Sequence, residues 1–168
     1  HFLMTKILLL SDTHSYIGDD IIKYVQQADE VWHAGDIGDL KVTDAIKKLK
    51  PLRAVYGNID NAGARLEFPE HLKFRCEGVK VWMTHIGGYP GRYAQSVRNQ
   101  IKTHIPDLFI SGHSHILKVI NDKKLKLLHM NPGAAGNHGF HKVRTMLRFE
   151  ISGNKILNLE VIEFKRNP

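Results

Sequence analysis

Lys6-Ile7-Leu8-Leu9-Leu10-Ser11-Asp12-Thr13-His14 is a short apolar run that breaks off into a polar signature, and the same event recurs along the chain. Other runs end at Gly35-Asp36, at Gly57-Asn58-Ile59-Asp60, at Thr84-His85 and at Gly112-His113-Ser114-His115. Runs such as Asp107-Leu108-Phe109-Ile110-Ser111 read as buried strands, too short for helices and bounded by turn residues. Open α/β sheets gather ligands at the carboxyl ends of their strands, so the signatures are expected to converge there.

Working outward, Ile17, Ile21, Ile22, Val25 and Ala28 recur at helical spacing before the apolar run Glu30-Val31-Trp32-His33-Ala34, which makes a βαβ unit. Val42, Ala45, Ile46 and Leu49 repeat the helical period, with Thr43 expected as N-cap and Pro51 as the stop. Arg53 to Tyr56 then supplies a third strand. From Leu72 the pattern alternates around Glu77-Gly78, a hairpin signal, and Tyr93, Val97 and Ile101 mark another amphipathic helix. Two more hairpins are expected around Asn121–Lys124 and Ser152–Asn154. The fold class is therefore α/β with mixed sheets: two packed sheets, partly parallel and partly antiparallel, flanked by helices.

At 168 residues and 42% hydrophobic content the chain is expected to form a single domain over residues 4–168. His1-Phe2-Leu3 precede Met4, which reads as a natural start, so those three residues are taken as an expression remnant. No apolar stretch approaches the roughly 20 residues of a membrane-spanning helix, and the expected setting is cytoplasmic, without membrane association. Cys76 is the only cysteine, which excludes an internal disulfide or a thiolate cluster within the chain. Lys and Arg outnumber Asp and Glu, 24 to 17, for a formal charge of +7 that favours anionic substrates. The basic residues are scattered, with no aromatic stripe beside them, so ordinary solvated faces account for most of the excess.

Each signature alone has an ordinary structural reading: Asp12-Thr13-His14 as an N-cap turn, Gly35-Asp36 as a turn dipeptide, His85 as a hydrogen-bonded strand-end histidine. His113-Ser114-His115 says more, because alternate residues of an extended segment share a face and can present two imidazoles to one ion. Jointly the runs deliver two carboxylates, an amide and four imidazoles just past strands, in an order that chance turns would rarely produce. Such donors, without thiolate, suit manganese, iron, zinc, nickel or cobalt better than copper(I), calcium or magnesium.

The ordered set Asp-x-His, Gly-Asp, Gly-Asn-x-Asp, His, Gly-His-x-His resembles the calcineurin-like metallophosphoesterase superfamily. Asn131-Pro132-Gly133 extends the likeness toward its small bacterial and archaeal phosphodiesterase branch. The resemblance implies a four-layer α/β/β/α sandwich and two divalent ions, manganese first, with nickel, zinc, iron and cobalt as alternatives. One ion would be held by Asp12, His14, Asp36 and His115, the other by Asp36, Asn58, His85 and His113, with Asp36 as the bridge. It implies a phosphoesterase, in first place a phosphodiesterase, acting by in-line attack of a hydroxide that bridges the two metals. Asp36, Asn58 and His85 are then the candidate catalytic residues, and Asn58, Asn131, Gly133 and His138 the candidate substrate contacts. His141 and Arg144 are further candidates for phosphate or base contact.

A small phosphate ester or nucleotide is the expected partner. A nuclease or cyclic-nucleotide hydrolase is a runner-up, and sheet edges on the hairpins leave self-association open. An interaction scaffold of the same fold is the alternative from another class; it would be marked by lost donors, whereas all seven are present. The chain departs from the superfamily's Gly-Asn-His-Asp/Glu signature in carrying Ile59 where many members have a histidine that helps protonate the leaving oxygen. Asp60 is expected to survive as an anchor.

Overall fold

The computed structural model describes residues 4–166, so the remnant expected at His1 to Leu3 and the last two residues of the expected domain lie outside the described residues. The chain runs β1 (Thr5–Leu10), α1 (Asp19–Gln27), β2 (Glu30–His33), α2 (Lys41–Lys47) and β3 (Leu52–Ala54), the alternation read from the sequence, and then α3 (Ala62–Glu67), a helix the sequence reading does not include. It continues with the hairpin β4 (His71–Cys76) and β5 (Val79–Thr84), then β6 (Gly88–Tyr89), β7 (Arg92–Tyr93), α4 (Gln95–Arg98), α5 (Gln100–Thr103) and β8 (Leu108–Ile110). Two further hairpins follow, β9 (Leu117–Asp122) with β10 (Leu127–Pro132), and β11 (Val143–Ser152) with β12 (Lys155–Lys165).

Two five-stranded sheets result. The first is ordered β12-β11-β1-β2-β3, with β1, β2 and β3 parallel and β11 and β12 antiparallel. The second is ordered β4-β5-β8-β10-β9, parallel through β5, β8 and β10 with antiparallel edges. Side chains alternate across a strand, so β1 sends Ile7 and Leu9 between the sheets and Leu8 and Leu10 outward under α1 and α2. Trp32 is central to the inner layer, edge-on to Phe74 of the opposite sheet at 5.0 Å and to Phe149 at 5.8 Å. Val97 and Ile101 of α4 and α5 pack on Trp82 and Phe109 outside the second sheet, completing the four layers. Both tryptophans are core residues, and Cys76 is buried, its thiol pushed up to about 11 by burial.

Three local expectations are corrected. Helix α2 starts before Thr43, because Asp39 accepts the Lys41 N–H at 2.8 Å and opens the turn earlier; Thr43 lies buried within it. Tyr93 belongs to β7 rather than to the following helix, and its hydroxyl is drawn to Asp122 at 2.6 Å. The third strand is shorter than expected, although Val55 continues it by donating its N–H to His33 at 3.1 Å.

Candidate metal centre

The loops after the strands stay tied together by backbone hydrogen bonds. Asp12 N–H donates to Gly35 and His14 N–H to Asp36, at 2.9 and 3.1 Å, and Gly112 N–H donates to His85 across the second sheet at 2.9 Å. Asp12, His14, Asp36, His113 and His115 all take positive φ, between 43° and 73°. L-residues adopt that region reluctantly, and such conformations persist where the surroundings enforce them. The extended reading of His113-Ser114-His115 is corrected by this: left-handed backbone at both histidines sends their rings to different partners.

Two groups of donors form. Asp12, His14 and His115 bring ligand atoms within 4.8 Å of one another, as do Asp36, His85 and His113. Asp36 joins them, since its Oδ2 lies 3.4 Å from His14 Nε2 and 3.3 Å from His85 Nε2. Its Oδ1 accepts the Ile59 N–H at 3.1 Å, which fixes the orientation of the carboxylate. Asp12 Oδ1 likewise faces His115 Nε2 at 3.1 Å, while its Oδ2 accepts the Ser11 hydroxyl at 2.6 Å. The Asn58 amide oxygen lies 3.0 Å from His113 Nδ1, beside the second group.

The donor set fits divalent ions. Asp12 Oδ1, His14 Nε2 and His85 Nε2 are buried and have no hydrogen-bond partner, an arrangement that is costly for polar atoms unless something binds them. His85 Nδ1 sits 2.7 Å from the Ala34 carbonyl, which places its proton there and turns the Nε2 lone pair toward Asp36. Burial pushes the Asp12 and Asp36 carboxyls up, but the imidazoles beside them (His115, His14 and His85 for Asp12, His14 and His85 for Asp36) more than offset this. Both are held well below the usual carboxylate range. The Asp12 and Asp36 carboxylates in turn hold His14 up at about 9.

Residues behind the donors fix them. His33, buried between the loops, accepts the Gly35 N–H on Nδ1 at 3.1 Å and so donates from Nε2 to Thr13 Oγ1 at 3.0 Å. Burial lowers this histidine to about 4, keeping it neutral. Asp60 accepts from the amides of Gly57, Ile37 and Gly38, the anchoring role read for it. Gly57 allows this closeness, since a Cβ there would fall 2.2 Å from Asp36 Oδ1.

The candidate substrate contacts separate. His138 stacks on His14 at 4.6 Å and lines, with Asn58, Ile59 and His141, a cleft of about 550 Å³ that opens on His14, Asp36 and His115. Asn131 is buried, and its amide is spent on the Gly112 carbonyl, Ser114 Oγ and the Gly133 N–H, so it holds the His113 loop in place. Gly133 is buried as well, at φ +73° against Thr145. Arg144 turns away altogether: its guanidinium is buried on Asp20 at 2.8 Å and on the Ala135 carbonyl at 2.7 Å.

A doubled α/β sandwich with a carboxylate shared between two imidazole groups defines a candidate hydrolytic metal centre, and comparison with known proteins gives its family. The profile of the calcineurin-like phosphoesterase superfamily domain matches residues 5–154, and the chain belongs to that family. A probable metallophosphoesterase of Mycoplasma pneumoniae is 30% identical over 140 residues, covering 74% of this chain and 81% of the relative. Among solved structures, vacuolar protein sorting 29 from Cryptosporidium parvum shares the fold with a TM-score of 0.75 at 18% identity, over 97% of this chain and 99% of that one. A structure described as a novel archaeal phosphodiesterase does so with a TM-score of 0.68 at 22% identity, over 95% and 99%. Among the described residues no helix is long and apolar enough to cross a membrane.

Proposed function

We propose that this metallophosphoesterase is a dinuclear phosphodiesterase. The observation that carries the reading is Asp36 Oδ2, placed within 3.4 Å of an imidazole nitrogen from each donor group. Asp12, His14, Asp36 and His115 would hold one ion and Asp36, Asn58, His85 and His113 the other, with manganese favoured by resemblance and nickel, zinc, iron and cobalt suited to the same donors. When bound, a divalent pair supplies Lewis acidity toward phosphate oxygens and acidifies a coordinated water.

The chain's own part is positioning. Asp36 and His85 are locked by Ile59 N–H and the Ala34 carbonyl, so little reorganisation is left for the reaction itself. Asn58 and His138 stand at the cleft where a phosphate oxygen would enter. Asn131 and Gly133 shape the site through the His113 loop. Ile59 carries no proton to give, which favours esters whose leaving group is itself acidic, diesters above alkyl monoesters. The similarity to an archaeal protein described as a phosphodiesterase supports the diester reading.

The test is metal content of the purified protein together with hydrolysis of bis(4-nitrophenyl) phosphate across manganese, nickel, cobalt, zinc and iron. Two ions per chain and metal-dependent turnover are expected. A protein that binds metal at both positions yet hydrolyses no phosphate ester with any of them would return the chain to the scaffold alternative.

A further inference from the structure

Three of the donor side chains are each followed by an isoleucine left in solvent. Ile59 after Asn58 is 46% exposed, Ile86 after His85 45%, and Ile116 after His115 56%. Following a donor does not by itself force exposure, since Ile37 after Asp36 is fully buried. Single exposed apolar residues are ordinary on protein surfaces, but these three border the hollows that open on one polar centre.

Their placement is shared between hollows. Ile116 lies on the border between the His14 cleft and a second hollow of about 330 Å³ beside His113, where Tyr89 and Lys118 also stand. Ile86 separates that second hollow from a third, lined by Tyr56, Arg65 and His85. The Lys118 ammonium sits 3.5 Å from the centre of the Tyr89 ring, so the second hollow pairs apolar walls with a fixed cation.

We infer that the site takes aryl phosphate esters, with the aromatic ring one oxygen from phosphorus, and that Ile86, Ile116 and Tyr89 hold that ring beside His113. This rests on the phosphoesterase reading and names the substrate class for it. A sugar phosphate would bring hydroxyls against isoleucine and lose hydrogen bonds to water without replacement, whereas a flat ring removes apolar surface on both sides. Lys118 adds a positive charge for the ring's π face or for a second anionic oxygen.

Phosphonates test this without turnover, because their P–C bond is not hydrolysed. Phenylphosphonate and methylphosphonate are titrated into the manganese-loaded protein by calorimetry, and into Ile86→Ser and Ile116→Ser variants whose folding is checked by thermal unfolding. The aromatic probe is expected to bind about tenfold tighter than the methyl probe, a ratio falling to within about twofold when both isoleucines are replaced. Methylphosphonate binding by the variants reports that the centre is intact. Equal affinities in the unmodified protein overturn the inference while leaving the phosphoesterase reading in place, and assign the isoleucines to another partner. A preference that survives the double replacement overturns it too. Failure of both probes to bind removes the phosphate site and this inference with it.

Discussion

Asp60 Oδ1 accepts the Gly38 N–H at 2.9 Å, a bond from the loop after β3 to the loop after β2. Its other oxygen takes the amides of Gly57 and Ile37, so one carboxylate ties the backbone just after Asp36 to the backbone just before Asn58 without touching a donor. Asp60→Asn keeps the shape but puts an NH₂ where an acceptor is needed. Groups that orient ligands are typically worth 10–100-fold in metal affinity, so a loss of about that size is expected with all seven donors in place. Competition titration against a metallochromic chelator measures it; unchanged affinity would show that the loops hold their geometry without Asp60.

Asp36 and Asn58 differ in how much they serve. Asp36 Oδ2 faces both imidazole groups, while Asn58 Oδ1 stands beside His113 only. Asp36→Ala is therefore expected to lower occupancy at both positions, and Asn58→Ala chiefly at one. Inductively coupled plasma measurement of metal per chain separates the cases, and full occupancy in the Asp36 variant would refute the shared carboxylate.

The donors were legible because each ends an apolar run, and a run buried on both faces announces itself in a single sequence: Leu8 to Leu10 or Leu108 to Ile110 fit little else. What holds the donors was not legible. His33 looks like any core residue of β2, and its role appears only once folding sets Thr13, twenty positions away, against its ring. Arg144 looked available to phosphate until its partner Asp20, 124 positions earlier, came beside it. Asn131 is a candidate substrate contact by family resemblance; pairing of β10 with β9 carries it into the sheet through Asn131↔Lys118. In each case long-range pairing decides where a polar side chain spends its hydrogen bonds, and no local pattern encodes it.

Proton competition is expected to give the metal-free protein a stability maximum near pH 6.5. The Asp12 and Asp36 carboxylates raise His14 from 6.5 to about 9 and His85 is raised as well, so folding binds protons across that window and stability falls as pH rises through it. His33 and His129, lowered to about 4 by burial, act oppositely between about 4 and 6.5, where stability rises with pH. Metal requires the histidines neutral, so its affinity should climb where the apoprotein weakens. Thermal unfolding with chelator and with manganese is expected to diverge from pH 6.5 to 9, the metal-free Tm dropping and the gap widening. A metal-free Tm that is level over that range would contradict the coupling of His14 to the two carboxylates.

Ile59 gives the sharpest chemical prediction. Its N–H fixes Asp36 at 3.1 Å while its side chain, 46% exposed, borders the His14 cleft, so the position touches the site without donating a proton. Ile59→His keeps the backbone bond and adds an acid whose ordinary pKa lies near neutrality. General acids matter most where the leaving oxygen is a poor one, contributing about 10²–10⁴-fold when well placed. The variant is therefore expected to raise kcat on a sugar phosphate by about tenfold or more and to change kcat on bis(4-nitrophenyl) phosphate much less. A plot of log kcat against leaving-group pKa reads this directly: the unmodified protein should show a steep negative slope, and the histidine variant a shallower one. Parallel lines would mean that proton delivery comes from elsewhere in the cleft, with His138, stacked on His14, the next residue to replace.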